Sequence, residues 1–135
     1  MGERFRHRLR VRYNECDPQG VVFNANYLTY FDLTMTELWR ELGGYQAMVE
    51  AGVDMVVAEA RVRYRAPLRF DDEFEARVSV TKLGETSMSA AIELARDGET
   101  AADGELRYVF IEAGGGATQP IPDRIRDRLA QYAAP

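Results

Sequence analysis

The sequence predicts an α+β fold, one long central helix wrapped by a curved antiparallel sheet of about five strands. Three observations predict it. The segment "FRHRLRVRYN" alternates strictly, with Phe5, His7, Leu9, Val11 and Tyr13 on one face and Arg6, Arg8, Arg10 and Arg12 on the other, which is the period of a half-buried strand. Further on, Leu28, Phe31, Met35, Leu38 and Leu42 recur at spacings of three and four, the stripe of an amphipathic helix. From Val53 nearly to the end the chain is a run of long alternating segments divided by turn residues.

Taken in order, the first strand gives way to the turn "CDPQG", punctuated by Pro18 and Gly20. Asn24 or Asn26 is placed to cap the helix, Trp39 flanks its stripe, and Gly43–Gly44 stop it. That is a helix of about 17 residues, roughly 25 Å long at ~1.5 Å per residue. "YQAMVEAG" adds a short helical turn. Strands follow in "MVVAEARVRYRAP", "EFEARVSVTKL", "TSMSAAIELAR" and "TAADGELRYVFIEA", with a hairpin signal at "RDGET" and a break at Gly114–Gly116. The last piece, from Pro122–Asp123, sets Ile125, Leu129 and Tyr132 on one side. Strands of about 11–13 residues span roughly 35–40 Å. A sheet that long curls around the helix, and its edge and outer face are left to be covered, so a dimer is expected.

Composition sets limits. The 135 residues, 46% hydrophobic and 29% charged, are expected to form one domain, 1–135. A net charge of −5 gives a nucleic-acid partner no support. No apolar run approaches the ~18 residues of a membrane span, and "MGERFRHRLR" lacks the apolar core of a signal peptide, so the cytoplasm is the expected location. Cys16 is the only cysteine and Lys82 the only lysine.

The chemistry narrows to carboxylates. The one histidine, His7, lies on the apolar face of the first strand, and no Gly-x-Ser-x-Gly elbow is present. One histidine and one cysteine do not make a metal site of the usual kind. Asp17, in contrast, sits one short turn before a helix start, where free N–H groups and the helix dipole favour an oxyanion. A carboxylate beside such donors has the parts for attack on an activated carbonyl. The other reading of Asp17 is that it bonds the amides of its own turn, as Asp before Pro often does.

The stretch "VRYNECDPQGVVFNANYLTYFDLTMTELWRELG" resembles the 4-hydroxybenzoyl-CoA-thioesterase-like branch of the hotdog-fold acyl-CoA thioesterases. The pattern Asp-x-x-Gly-Val-Val-aromatic, then Asn-Tyr, reads here as Asp17, Gly20, Val21, Val22, Phe23, Asn26 and Tyr27. "VRYRAPLRFDDEFEARVSVTKLGETS" and "QPIPDRIRDRL" are similar too, so the resemblance covers nearly the whole chain. It implies the hotdog fold, a homodimer or a homotetramer built as a dimer of dimers, and active sites at the dimer interface. It implies hydrolysis of an acyl-CoA thioester with no cofactor, coenzyme A entering as part of the substrate. Asp17 becomes nucleophile or general base, the Asn24 N–H polarises the carbonyl, and Gly20 admits the substrate. Val21 and Tyr27 line the acyl site, and Asp32 stands where relatives often carry a carboxylate; Glu59 is a further polar candidate. Position 24 departs from the His or Tyr of many relatives, which a backbone role survives. Hotdog dehydratases need a histidine near the helix start, and none follows His7.

Two rows of arginine, residues 6–12 and 61–65, suit coenzyme A phosphates or form solvated strand faces. Arg63, with Lys82 and Gly84 at the "KLG" turn, is the candidate set for the nucleotide end. An acyl-carrier-protein thioester as substrate, and a hotdog module that binds thioesters without cleaving them, are the competing functions.

Overall fold

The computed structural model describes residues 4–134. The order is β1 (Phe5–Arg10), a 3-10 turn (Tyr13–Glu15), α1 (Asn26–Glu41), α2 (Tyr45–Glu50), β2 (Val53–Tyr64), β3 (Glu73–Leu83), β4 (Ser87–Arg96), β5 (Glu99–Glu112), α3 (Asp123–Leu129) and a closing 3-10 turn (Ala130–Tyr132). The strands form one five-stranded antiparallel sheet in the order β1-β3-β4-β5-β2. β1 and β2 are therefore its edges.

The core lies between α1 and the concave face of the sheet. Period two explains the sheet side: Phe74, Ala76, Val78 and Val80 of β3 are buried, as are Met88, Ala90, Ile92 and Leu94 of β4. α1 answers with Tyr27, Tyr30, Phe31, Met35, Leu38 and Trp39, and Leu42 follows at its C-terminal cap. Each such large side chain fully buried is worth about 1.5–3 kcal/mol. The helix comes close enough to β5 that only glycine fits at position 104. A Cβ there would run into the Arg61 carbonyl and stand 2.9 Å from Phe31 Cε2.

Turns follow the expected chemistry. Asp97 and Gly98, with φ of 51° and 81°, make the two-residue β4–β5 hairpin turn that favours positive φ. Gly43 and Gly44, at φ of 113° and 95°, end α1, and the Gly44 N–H donates back to the Trp39 carbonyl at 2.8 Å.

Three expectations are corrected. β1 stops at Arg10: the Val11 N–H donates to the Asp72 carbonyl at 2.9 Å, the Val11 carbonyl accepts the Asp71 N–H at 3.1 Å, and the chain then coils; Tyr13 is 79% exposed rather than on the strand's inner face. Leu28 is 42% exposed, since the buried stripe begins at Tyr27 and Leu28 lies about 100° around the helix from it. Neither Asn24 nor Asn26 caps α1 with its side chain; the Asn26 amide is turned to the Glu15 carbonyl instead.

The convex face carries the arginines as ion pairs. Arg6 and Arg77 meet Glu75 at 2.8 and 2.7 Å, and Arg4 and Arg77 meet Glu93 at 3.1 and 3.3 Å. Among the described residues no helix is long and apolar enough to cross a membrane.

Candidate active site

The Asp17 turn is a tight hairpin laid against the start of α1. The Asp17 N–H donates to the Val21 carbonyl and the Gly20 N–H to the Asp17 carbonyl, both at 2.9 Å. Gly20 adopts φ 80° with open space around it, so the turn's left-handed backbone is what requires glycine. The returning limb is fastened twice. The Val22 N–H donates to the Leu68 carbonyl at 2.8 Å, and the Phe23 N–H to the Glu15 carbonyl at 3.0 Å. This brings Val21–Asn24 back past Asp17.

Asp17 is half-buried, and its Oδ1 accepts the Gln19 N–H at 2.8 Å. The turn-capping reading of Asp17 is thus realised for one oxygen, and that bond also holds the carboxylate in one orientation. At the helix start, the N–H groups of Asn24 and Ala25 make no hydrogen bond among the described residues. The Asn24 carbonyl accepts the Tyr64 hydroxyl at 3.1 Å and the Tyr27 N–H at 3.3 Å. Those bonds steady the peptide whose N–H is free. Carboxylate, free amides and a helix dipole therefore share one corner of the molecule.

The remaining candidates are dispersed. Tyr27, 4% exposed, packs edge-on against Tyr30 and Tyr64, and Val21 bridges to Arg69. Asp32 lies further along α1, at a cavity of about 290 Å³ with Thr36, Trp39, Tyr45, Met55, Val57 and Tyr108. Tyr108 is 5% exposed, and its hydroxyl has no hydrogen-bond partner among the described residues. Burial, with the Asp32 charge added, pushes its pKa up, so it stays protonated. Asp17 lines none of the described cavities. Glu59, on the edge strand β2, stands 3.8 Å from both Arg61 and Arg107.

Of the nucleotide candidates, Lys82 and Gly84 lie far from Asp17, whereas Arg63 directly precedes Tyr64, whose hydroxyl bonds the Asn24 carbonyl. Arg63 is committed to Asp103 at 2.7 Å and Glu105 at 3.0 Å. The Gly84 carbonyl accepts Arg126. Lys82 is exposed and in no ion pair among the described residues. Both close β3 at the end away from Glu73; since Glu73 pairs with Arg10 at the exit of β1, they sit roughly 30 Å along the strand from the Asp17 end.

Sequence reasoning missed Glu15. Its Oε1 accepts the Arg12 N–H and the Tyr30 hydroxyl, each at 2.8 Å. A carboxylate at the third position of a short turn is a capping signal, but no pattern links it to Tyr30.

The thioesterase-like superfamily model matches residues 11–129. Acyl-CoA thioester hydrolase YbgC of Escherichia coli O6:H1 is 35% identical over 85 residues, which are 62% of this chain and 63% of that protein. The structure of a gentisyl-coenzyme A thioesterase superposes with a TM-score of 0.84 at 25% identity, covering 93% of this chain and 99% of that one. A thioesterase-superfamily structure from Jannaschia sp. CCS1 reaches a TM-score of 0.91 at 21% identity, over 98% of this chain and 94% of that one, and speaks for the fold. The chain belongs to the thioesterase-like superfamily, with the hotdog fold and the thioester-hydrolase class of that family.

Proposed function

We propose that this protein hydrolyses acyl-CoA thioesters, with Asp17 as the reacting carboxylate and the free N–H groups of Asn24 and Ala25 as oxyanion donors. The observation that carries the reading is the Asp17 turn strapped to the residues entering α1, where the Asn24 and Ala25 N–H groups are unpaired among the described residues. YbgC and the gentisyl-coenzyme A thioesterase, by their names, act on CoA thioesters, and that substrate class is taken over here.

With Asp17 as general base, its carboxylate takes a proton from water as the oxygen adds to the thioester carbon. The negative charge moves to the carbonyl oxygen, where the amides meet it. Collapse expels the thiolate of coenzyme A, which takes up a proton, and leaves the free acid. With Asp17 as nucleophile, its oxygen adds to the thioester carbon, the C–S bond breaks, the coenzyme A thiolate leaves and is protonated, and water then cleaves the acyl anhydride. Solvent oxygen-18 found in Asp17 after turnover separates the two.

The site is completed by a second copy. β2 is a 12-residue edge strand with Val56 and Val57 about half exposed, an unpaired template of the kind that proteins cover. Antiparallel pairing of β2 with its own twofold mate sets the Met55–Val57 end of one copy beside the Tyr64 end of the other. The Asp32–Tyr108 cavity of one chain then faces the Asp17 turn of its partner and takes the acyl group. Lys82 is the available cation for the nucleotide end, whereas Arg63 has to leave Asp103 and Glu105 to reach a phosphate.

The test is thiol release from short, long and aromatic acyl-CoAs by wild type and Asp17→Asn. Wild-type hydrolysis and a kcat at least ~10²-fold lower in the mutant are expected. Equal rates overturn the role of Asp17; a wild type that cleaves no CoA thioester and no carrier-protein thioester overturns the enzyme reading.

A further inference from the structure

We infer that Glu15 and Asn26 are positioning residues that hold the Asp17 turn in register with the free amides of Asn24 and Ala25 at the entry to α1; this rests on the catalytic reading above. Glu15 accepts four hydrogen bonds. Its Oε1 accepts the Arg12 N–H and the Tyr30 hydroxyl at 2.8 Å each. Its carbonyl accepts the Phe23 N–H at 3.0 Å and Asn26 Nδ2 at 2.8 Å. The partners are the chain leaving β1, the returning limb of the Asp17 turn, and two places on α1.

The anchor beneath this hub is rigid. Tyr30 is 1% exposed, and its ring packs against Phe74 at 5.0 Å and Tyr27 at 6.0 Å. Its hydroxyl has Glu15 as its hydrogen-bond partner among the described residues. Core packing thus fixes the Tyr30 oxygen, that oxygen fixes Glu15, and Glu15 fixes the residue one removed from Asp17. Asn26 closes the triangle from the first turn of the helix, where its side chain is drawn away from capping. Neither residue reaches a reacting atom; both set where Asp17 stands relative to the amides of Asn24 and Ala25.

The experiment compares Glu15→Ala, Glu15→Gln and Asn26→Ala with wild type and Asp17→Asn. The readouts are kcat and KM on the acyl-CoA that wild type turns over best, folded fraction by circular dichroism, and hydrogen exchange of the segment 16–25. Displacement of catalytic groups by about 1 Å costs on the order of 10²-fold. Glu15→Ala and Asn26→Ala are therefore expected to lose about 10- to 100-fold in kcat, with KM nearly unchanged. Exchange in 16–25 rises while that of β3 and β4 does not. Glu15→Gln keeps an oxygen able to accept both side-chain bonds and is expected to recover most of the rate.

A kcat that falls only in proportion to the unfolded fraction overturns the inference, as does wild-type kcat in Asn26→Ala. Should Glu15→Ala fail to fold, Asn26→Ala decides, because it removes a single bond. If wild type cleaves no thioester, the catalytic reading fails on its own. Exchange then still judges the tether, and equal protection of 16–25 in wild type and Asn26→Ala sinks it.

Discussion

Two buried tyrosines show how differently one hydroxyl can weigh. Tyr30 gives its proton to Glu15 at 2.8 Å, whereas Tyr108 holds its hydroxyl free at the Asp32 cavity. Tyr30→Phe leaves the Glu15 acceptor short of a partner and is expected to cost about 1–2 kcal/mol. Tyr108→Phe loses no bond and is expected to stay within about 0.5 kcal/mol of wild type. Urea midpoints for the two variants check the pair. Gly104→Ala belongs to the same scale. Its methyl group meets the Arg61 carbonyl and the Phe31 ring, so strand or helix has to move, at a cost of at least ~1–3 kcal/mol. A midpoint equal to wild type would show that α1 sits further from β5 than described.

At the scale of elements, the convex faces of β1, β3 and β4 are joined by charge. The Arg77 hydrogen bond holds the Glu75 carboxyl below its ordinary 4.5, and the Thr100 hydroxyl does the same for Glu93. Asp103 is lowered as well: burial opposes ionisation there, and the bonds from Arg65 and Arg63 outweigh it. A carboxylate whose folded pKa is depressed contributes stability above its unfolded pKa and loses it as pH falls through the folded value. The melting temperature is therefore expected to be flat above the ordinary carboxylate range near 3.8–4.5 and to fall below it. The Glu75 and Glu93 pairs are partly solvated, so each adds no more than about 1 kcal/mol, and salt screens all of them. A melting profile unchanged between pH 6 and pH 3 would contradict this (~3 units is ample to titrate them).

For the whole molecule, one chain separates the parts that the chemistry needs. Asp17 and the amides stand at the start of α1, and the Asp32–Tyr108 cavity opens further along it beside the free edge strand. The pairing of β2 with its mate proposed above would bring them together. Light scattering at micromolar concentration is expected to show a dimer or a tetramer. Val57→Asp, which puts a charge on the half-exposed inner side of β2, is expected to give a folded monomer that has lost hydrolysis. A wild-type monomer with full activity would remove the shared site.

Periodicity and turn residues by themselves determined most of the elements. The helix, the bounds of β3, the Asp97–Gly98 hairpin and the double-glycine stop were legible, because each is set by residues within a few positions of one another. The family motif at Asp17–Tyr27 marked the corner where carboxylate and helix start meet. What only the tertiary structure decided is whatever depends on register between distant segments. Arg63 read as a phosphate candidate or a strand-face arginine until β2 took its place against β5 and set Asp103 and Glu105 beside it. Tyr13 and Leu28 read as core, yet the early end of β1 and the angular position of the buried stripe leave both in solvent. Glu15 carried no pattern beyond a turn cap, for its partners lie 3, 8, 11 and 15 residues away, on three separate pieces of backbone. A hydrogen bond of that reach is a property of packing, and it exists only once the helix has been laid on the sheet.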